Sequence, residues 1–208
     1  MDRSDELPEG AVGAFAGRAG NSYSGAAESA ALAGARIAVA CSMFNGGITA
    51  RLLDGALRGL AERGVERGSV SVAWVPGAFE LPIAARRFAA SGEIDAVICL
   101  GAVIRGETAH FEYVAGECSA GAQRVALDSG VPIMLGVLTT ETLEQAGERS
   151  DPDDMKSNKG YEAAVGALEM VDLLRQLPRP APRAGTHTVV TGAGRGPGEG
   201  SRASMGGS

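Results

Sequence analysis

The residues best suited to do chemistry in this 208-residue sequence lie in the run GAVIRGETAH, residues 101–110. Glycines, a threonine hydroxyl and a histidine occur together there, where a helix is expected to begin. Backbone N–H groups at a helix start, with the Thr108 hydroxyl, are suited to bind a phosphate. His110 beside such a site could donate and accept protons near neutral pH. The run indicates a phosphate site with an acid–base group, while a purely structural role for His110 stays open.

Two further positions combine a ring or a carboxylate with the end of an apolar run. Phe44 could stack on a flat ligand ring or could cover the start of the next helix. Glu80 follows a Pro-Gly turn, where its carboxylate could bind ligand hydroxyls or an amine, or could cap a helix. From the residues alone, both alternatives stay open at each position.

Arg149 and Lys159 lie on either side of the acidic stretch SDPDDMKSN, residues 150–158. Each could meet an anion, and each could equally face solvent. Neither the G-x-x-x-x-G-K pattern nor the G-x-G-x-x-G pattern follows a predicted strand. The sequence therefore disfavours two classes of enzyme, nucleoside triphosphatases and nucleotide-dependent dehydrogenases.

The elements that position these residues alternate along the chain. Apolar runs predict strands, and apolar residues at intervals of three and four predict helices. We predict strands over 36–41, 70–75, 96–104 and 133–138, and helices from about 48 to 60 and over 81–90, 111–129, 143–149 and 161–177. Such alternation favours a parallel sheet with helices on both faces, and the continuously apolar strands fit a sheet covered on both sides. Ligands bind outside the carboxyl ends of such strands, where most of the candidate residues fall.

Composition limits the class of protein. The chain is 45% hydrophobic with a formal net charge of −6, and residues 35–177 carry that whole charge. A nucleic-acid partner is therefore disfavoured. No apolar run approaches the roughly 18 residues of a membrane span. The first residues are acidic, unlike a signal peptide, so we expect a cytoplasmic protein. Cys41, Cys99 and Cys118 lack metal-like spacing and are expected to be buried free thiols.

Five motifs together resemble the lumazine synthase family of riboflavin biosynthesis. They occur in the family's order and approximate spacing, between about residues 35 and 177. The motifs are FN at 44–45, WVPGAFELP at 74–82, LGAVIRGETAHFEYV at 100–114, GVPIMLGVLTTET at 130–142 and NKG at 158–160. The resemblance implies a three-layer α/β/α sandwich of the flavodoxin-like type with a four-stranded parallel sheet. Residues 1–34 and 178–208 lie outside it and are expected to be flexible extensions.

The resemblance implies condensation of 5-amino-6-(D-ribitylamino)uracil with 3,4-dihydroxy-2-butanone 4-phosphate, without a metal or another cofactor. Phe44 would stack on the pyrimidine, and Val103 and Ile104 would present backbone groups to its edge. His110 would transfer protons, and Arg149 would reach the substrate phosphate across a subunit interface. The other implied substrate-binding residues are Asn45, Ala78, Phe79 and Glu80 around the ribityl chain, Ala102, Leu135 and Lys159 near the pyrimidine, and Gly106, Glu107 and Thr108 at the phosphate.

Two departures from the family pattern matter for the expected site and assembly. Leu135 replaces a phenylalanine that closes the site in many members. The loop between Arg149 and Lys159 is longer than the compact form of the family. In the family a longer loop here goes with free pentamers rather than with 60-subunit shells. We therefore expect a homo-oligomer, and we favour a pentamer over an assembly of pentamers. Two alternatives remain: a non-catalytic paralogue that binds flavin or lumazine or forms a shell, and an enzyme that dismutates lumazine to riboflavin.

Overall fold

The computed structural model describes residues 24–25, 32 and 34–178. The predicted N-terminal extension over 1–34 and the predicted tail over 178–208 lie outside the described residues, apart from these few positions. Their flexibility stays a prediction.

The centre of the chain is a four-stranded parallel sheet in the order β2-β1-β3-β4. Its strands are β1 (Ile37–Ser42), β2 (Val70–Val75), β3 (Ala96–Ile104) and β4 (Ile133–Thr140). The first and third strands are almost fully buried, which agrees with their uninterrupted apolar sequence. The four predicted strands and their parallel arrangement are confirmed.

The helices are α1 (Gly46–Glu62), α2 (Leu81–Ala89), α3 (His110–Ser129), α4 (Leu143–Glu148) and α5 (Lys159–Gln176). One apolar cluster joins α1 and α5 to one face of the sheet. A second cluster joins α2 and α3 to the other face. The three-layer α/β/α architecture is therefore confirmed. No helix within the described part of the chain is long and apolar enough to cross a membrane.

The two edge strands differ from the expected continuous burial. In β2, Val72 and Trp74 are exposed, and Ser71 interrupts the apolar run. In β4, Leu135 is exposed as well. The expectation of strands covered on both sides was therefore wrong for β2 and β4, because the two apolar clusters are built mainly on the central strands β1 and β3 and cover little of the faces of the outer strands.

The α1–α5 contact is close because glycines occur at the crossing. A Cβ atom at Gly160 would lie 1.9 Å from the carbonyl oxygen of Leu52, and a Cβ atom at Gly55 would overlap the side chain of Asn158. Only glycine allows the two backbones to approach this closely. The crossing fixes the start of α5, and with it the position of Lys159.

Candidate functional site

The carboxyl ends of β1 and β2 continue to pair after the strands end. The N–H of Met43 donates to the carbonyl oxygen of Val75 at 2.8 Å, and the N–H of Phe44 donates to that of Pro76 at 3.1 Å. The Phe44 side chain is 72% exposed, so it does not serve the core. The structure therefore leaves its ring available for stacking, as the ligand-binding alternative requires.

Asn45 connects the end of β1 to the end of β3. Its φ of 55° lies in the left-handed region, which asparagine tolerates better than most residues. Its side-chain amide donates to the carbonyl oxygen of Ala102 at 2.9 Å. Ala102 and Val103 are buried, and Ile104 is half-buried at the strand end. The predicted residues of these two strands are thus brought together.

Glu80 ends a short 3₁₀ helix, Ala78–Glu80, that leads into α2. One carboxylate oxygen accepts a hydrogen bond from the N–H of Gly77 at 2.9 Å. The capping alternative is therefore realised in the structure. A carboxylate has two oxygens, and each can accept further hydrogen bonds, so capping leaves acceptor capacity for a ligand. Phe79 is exposed next to it, while Ala78 is buried.

The loop 106–109 leads from β3 into α3, and α3 begins at His110. Gly106, Glu107, Thr108 and His110 are all exposed. The Thr108 hydroxyl oxygen accepts from the N–H of His110 at 3.5 Å, a long bond that leaves the hydroxyl hydrogen free to donate. The helix start and the positive end of its dipole therefore lie where the sequence predicted an anion site.

Arg105 is a residue at this site to which the sequence assigned no role. Its Nε donates to Glu141 at 2.6 Å, its Nη1 donates to Glu112 at 3.4 Å, and its guanidinium lies 4.3 Å from the centre of the Phe111 ring. The hydrogen bond to Glu141 is the main cause that raises the pKa of Arg105. The sequence did contain a signal for Arg105, because a cation follows directly after a strand whose end carries site residues. Its partner Glu141, 36 residues away, could not be read from local sequence.

Leu135, Arg149 and Lys159 line a groove of about 760 Å³ along β4 and α5. The guanidinium of Arg149 donates to the carbonyl oxygen of Gln145 at 2.9 Å. The N–H of Lys159 donates to the carbonyl oxygen of Arg149 at 2.9 Å, and its ammonium group pairs with Glu162. Two of the predicted cations are therefore neighbours in the fold, although nine residues separate them in the sequence.

Asn158 holds the loop that carries these two cations and is fully buried. Its Oδ1 accepts from the N–H groups of Gly160 and Tyr161, at 2.9 and 3.2 Å. Its Nδ2 donates to the carbonyl oxygens of Arg51 and Asp151, at 3.3 and 3.1 Å. The side chain thus caps α5 and also fixes the preceding loop to α1. An asparagine just before a helix is a recognisable N-cap signal, but its bond to α1 is a tertiary feature.

The predicted site residues therefore fall into two groups. The strand-end group comprises the ends of β1, β2 and β3 and the start of α3, with Phe44, Asn45, Ala78, Phe79, Glu80, residues 102–104, residues 106–108 and His110. The groove group comprises Leu135, Arg149 and Lys159. Hydrogen bonds join Asn45 to Ala102 and His110 to Thr108 in the first group, and Lys159 to Arg149 in the second. The groove is lined by β4, α5 and the loop before α5.

The three cysteines are free and buried, as expected. Burial raises the pKa of Cys41 and of Cys99 to about 12, and that of Cys118 to about 11. Such thiols are not nucleophiles at neutral pH. Among the described residues, no group of three or more His, Cys, Asp or Glu side chains could hold a metal ion.

Comparison with known proteins gives two findings. The family profile described as 6,7-dimethyl-8-ribityllumazine synthase matches residues 34–175. A protein of Syntrophus aciditrophicus (strain SB), named 6,7-dimethyl-8-ribityllumazine synthase, is 55% identical over 144 residues. That alignment covers 69% of this chain and 92% of the relative.

Proposed function

Because the chain belongs to the 6,7-dimethyl-8-ribityllumazine synthase family, we propose that its active site forms between two copies of the chain. The chain is a transferase of riboflavin biosynthesis. It condenses 5-amino-6-(D-ribitylamino)uracil with 3,4-dihydroxy-2-butanone 4-phosphate. The products are 6,7-dimethyl-8-ribityllumazine, phosphate and water.

The lining of the groove carries the two-copy proposal, because it contains Leu135, Arg149 and Lys159 but none of the residues of the strand-end group. Arg149 and Lys159 line a groove at the open edge of β4, next to the exposed Leu135. β4 pairs with β3 on its other side. An edge lined by cations and an exposed apolar side chain fits a surface that meets the strand-end group of a neighbouring copy. A closed ring of copies would then complete every site in the same way.

The strand-end group would bind the pyrimidine substrate. The exposed Phe44 ring would stack on the flat heterocycle, while the peptide groups of Val103 and Ile104 face its polar edge. Glu80 and Asn45 would accept and donate hydrogen bonds to the ribityl hydroxyls. Ala78 and Phe79 would form the wall beside them, and Leu135 and Lys159 would approach the heterocycle from the second copy.

The phosphate-bearing substrate would bind at loop 106–108. The N–H groups at the start of α3 and the Thr108 hydroxyl would hold the phosphate, together with Arg149 of the second copy. The substrate amine attacks the ketone and forms an imine with loss of water. Elimination of phosphate and attack by the second amine, with loss of another water, close the ring. His110 would move protons in these steps, which require no redox cofactor.

A pentamer is the assembly we propose. The loop 149–158 between α4 and α5 is long, and Asn158 and Arg58 hold it against α1, the latter by a bond to the carbonyl oxygen of Pro152. Light scattering of the purified protein should give five copies of the 21.0 kDa chain. A particle of 60 copies would contradict the proposal.

Three unpaired cysteines favour a reducing compartment, so we also propose a cytoplasmic location.

Complementation between inactive variants tests the shared site. His110→Ala removes a group from one half of the site, and Arg149→Ala removes a group from the other. When the two are co-expressed in equal amounts, about one quarter of the interfaces in a randomly mixed ring combine two intact halves. With the phosphate-bearing substrate held well below the raised KM of Arg149→Ala, where each variant alone is nearly inactive, we expect fluorescent lumazine to form at about one quarter of the wild-type rate. A mixture that stays as inactive as each variant alone would contradict the two-copy site.

A further inference from the structure

Arg105 connects three parts of the fold at the edge of the proposed phosphate site. Its N–H donates to the carbonyl oxygen of Thr140 at the end of β4, at 2.9 Å. Its side chain pairs with Glu141, just after β4, and with Glu112 in the first turn of α3. The guanidinium also lies over the Phe111 ring. Arg105, which directly precedes loop 106–109, is therefore bonded to the helix that follows the loop.

The charges around Arg105 argue against a direct role in binding the phosphate. One guanidinium between two carboxylates makes a cluster with a formal charge of −1, which repels an anion. Its Nε and Nη1 are already used by Glu141 and Glu112, and one face of the group is used by Phe111. The Arg105 side chain therefore binds neighbouring side chains of the protein rather than a ligand.

We propose that Arg105 is a positioning residue, which fixes loop 106–108 and the start of α3 so that Thr108 and His110 face the phosphate-bearing substrate. This inference rests on the proposed roles of those two residues. Isolated exposed ion pairs stabilise little, but a planar guanidinium with two carboxylates and a ring has few alternative arrangements. Because α3 begins five residues after Arg105, a shift of the side chain passes directly to the loop. A displacement of about 1 Å at a reacting group can lower the rate about 100-fold.

The test compares Arg105→Gln, Glu141→Gln and the double variant by steady-state kinetics, with each substrate varied in turn. We expect kcat/KM for the phosphate-bearing substrate to fall at least about tenfold in Arg105→Gln. The KM for the pyrimidine should stay within about twofold, because β3 keeps its register with β4. Glu141→Gln should change the same parameters in the same direction. The double variant should be no worse than Arg105→Gln, as expected for two residues that act through one contact.

The matched control is Arg175→Gln. Arg175 also pairs with a carboxylate, Asp95, and its side chain is as exposed as that of Arg105, 37% against 38%. Asp95 precedes β3, at the opposite end of the sheet. Arg175→Gln should keep wild-type kinetics. Thermal unfolding of every variant separates a loss of folding from a change in KM and kcat, and Arg105→Lys, which keeps the charge without the planar fork, should be intermediate.

Inorganic phosphate, used as a competitive inhibitor, distinguishes positioning from direct binding. If Arg105 positions the loop, Arg105→Gln and Glu141→Gln both weaken inhibition. If Glu141→Gln strengthens inhibition while Arg105→Gln weakens it, Arg105 binds the anion itself and the proposal is wrong. Arg105→Gln kinetics equal to those of Arg175→Gln would also overturn it. Thr108→Ala and His110→Ala are measured beside them, because wild-type kinetics in those two would refute the site assignment instead.

Discussion

Replacing Asn158 with alanine tests how the fold holds the two cations of the groove. The change removes a fully buried side chain and its four hydrogen bonds, two accepted and two donated. A typical hydrogen bond contributes about 1 kcal/mol, and buried partners left without a bond add to the cost. The bond donated to the carbonyl oxygen of Arg51 is long, 3.3 Å, and contributes less than average. We therefore expect the free energy of unfolding to fall by about 3 to 4 kcal/mol.

The assay is urea unfolding followed by circular dichroism, at one protein concentration because subunit association contributes to stability. Thr142→Ala is the matched control. Thr142 also caps a helix, α4, but it is exposed and accepts one bond, from the N–H of Gln145 at 3.3 Å. We expect that control to cost about 1 kcal/mol, the usual value for a single cap.

Asn158→Asp separates the two functions of the side chain. It keeps an acceptor for Gly160 and Tyr161 but puts a carboxylate oxygen, in a fully buried site, where the donor to the carbonyl oxygens of Arg51 and Asp151 was. Its cost should therefore clearly exceed that of Thr142→Ala, although the helix cap is kept. If Asn158→Ala costs no more than Thr142→Ala, then Asn158 acts as an ordinary cap and does not hold the loop to α1.

Three more predictions concern single side chains. His110→Ala should lower kcat by about 100- to 10,000-fold with an unchanged circular dichroism spectrum, and wild-type turnover would refute its proposed role. Arg149→Ala should mainly raise the KM for the phosphate-bearing substrate, and an effect confined to the pyrimidine KM would contradict the assignment. Gly160→Ala should destabilise the protein by about 1 to 3 kcal/mol, because its Cβ would lie 1.9 Å from the carbonyl oxygen of Leu52. Gly147→Ala is its control, since nothing lies within 4 Å of that added atom.

The local sequence was sufficient to predict the bounds of most strands of the sheet. The bounds of β2 and β3 are as predicted, and β1 is shifted by one residue. The fourth strand was predicted to end at residue 138, but it continues to Thr140. The two threonines at its end are polar, so the apolar pattern stops before the strand does. Pairing with the last residues of β3, up to Ile104 opposite Thr140, extends it.

Helix starts were predicted less well because caps decide them. The last helix begins at Lys159 rather than at residue 161, since Asn158 accepts from the first free N–H groups. The third begins at His110, one residue earlier than predicted. Apolar spacing identifies the buried side of a helix, but its first turn carries few apolar residues.

Phe44, Glu80, Thr108 and His110 were proposed from their types and their places at strand ends, and most of the other candidate residues from the resemblance. The synthase function, also from the resemblance, is confirmed by the family profile and the named relative. The partners of Arg105 and Asn158 were not found, because they come from elements far apart in the sequence. The open edge of β4 was not found either. An apolar run does not reveal which of its sides lacks a neighbour.

Because the three thiols are buried, their reaction with a thiol reagent can measure how often the core of the unmodified chain opens. Cys41 and Cys99 lie in the two central strands, and Cys118 lies on α3. Because burial keeps all three protonated at neutral pH, a thiol reagent reacts only after the core has opened. The labelling rate then measures how often each region opens. Cys99 and Cys118 belong to the apolar cluster under α2 and α3, whereas Cys41 belongs to the cluster on the other face. Mass spectrometry of a labelling time course can therefore separate departure of α3 from the sheet, which modifies Cys118 and Cys99 but not Cys41, from global unfolding, which modifies all three.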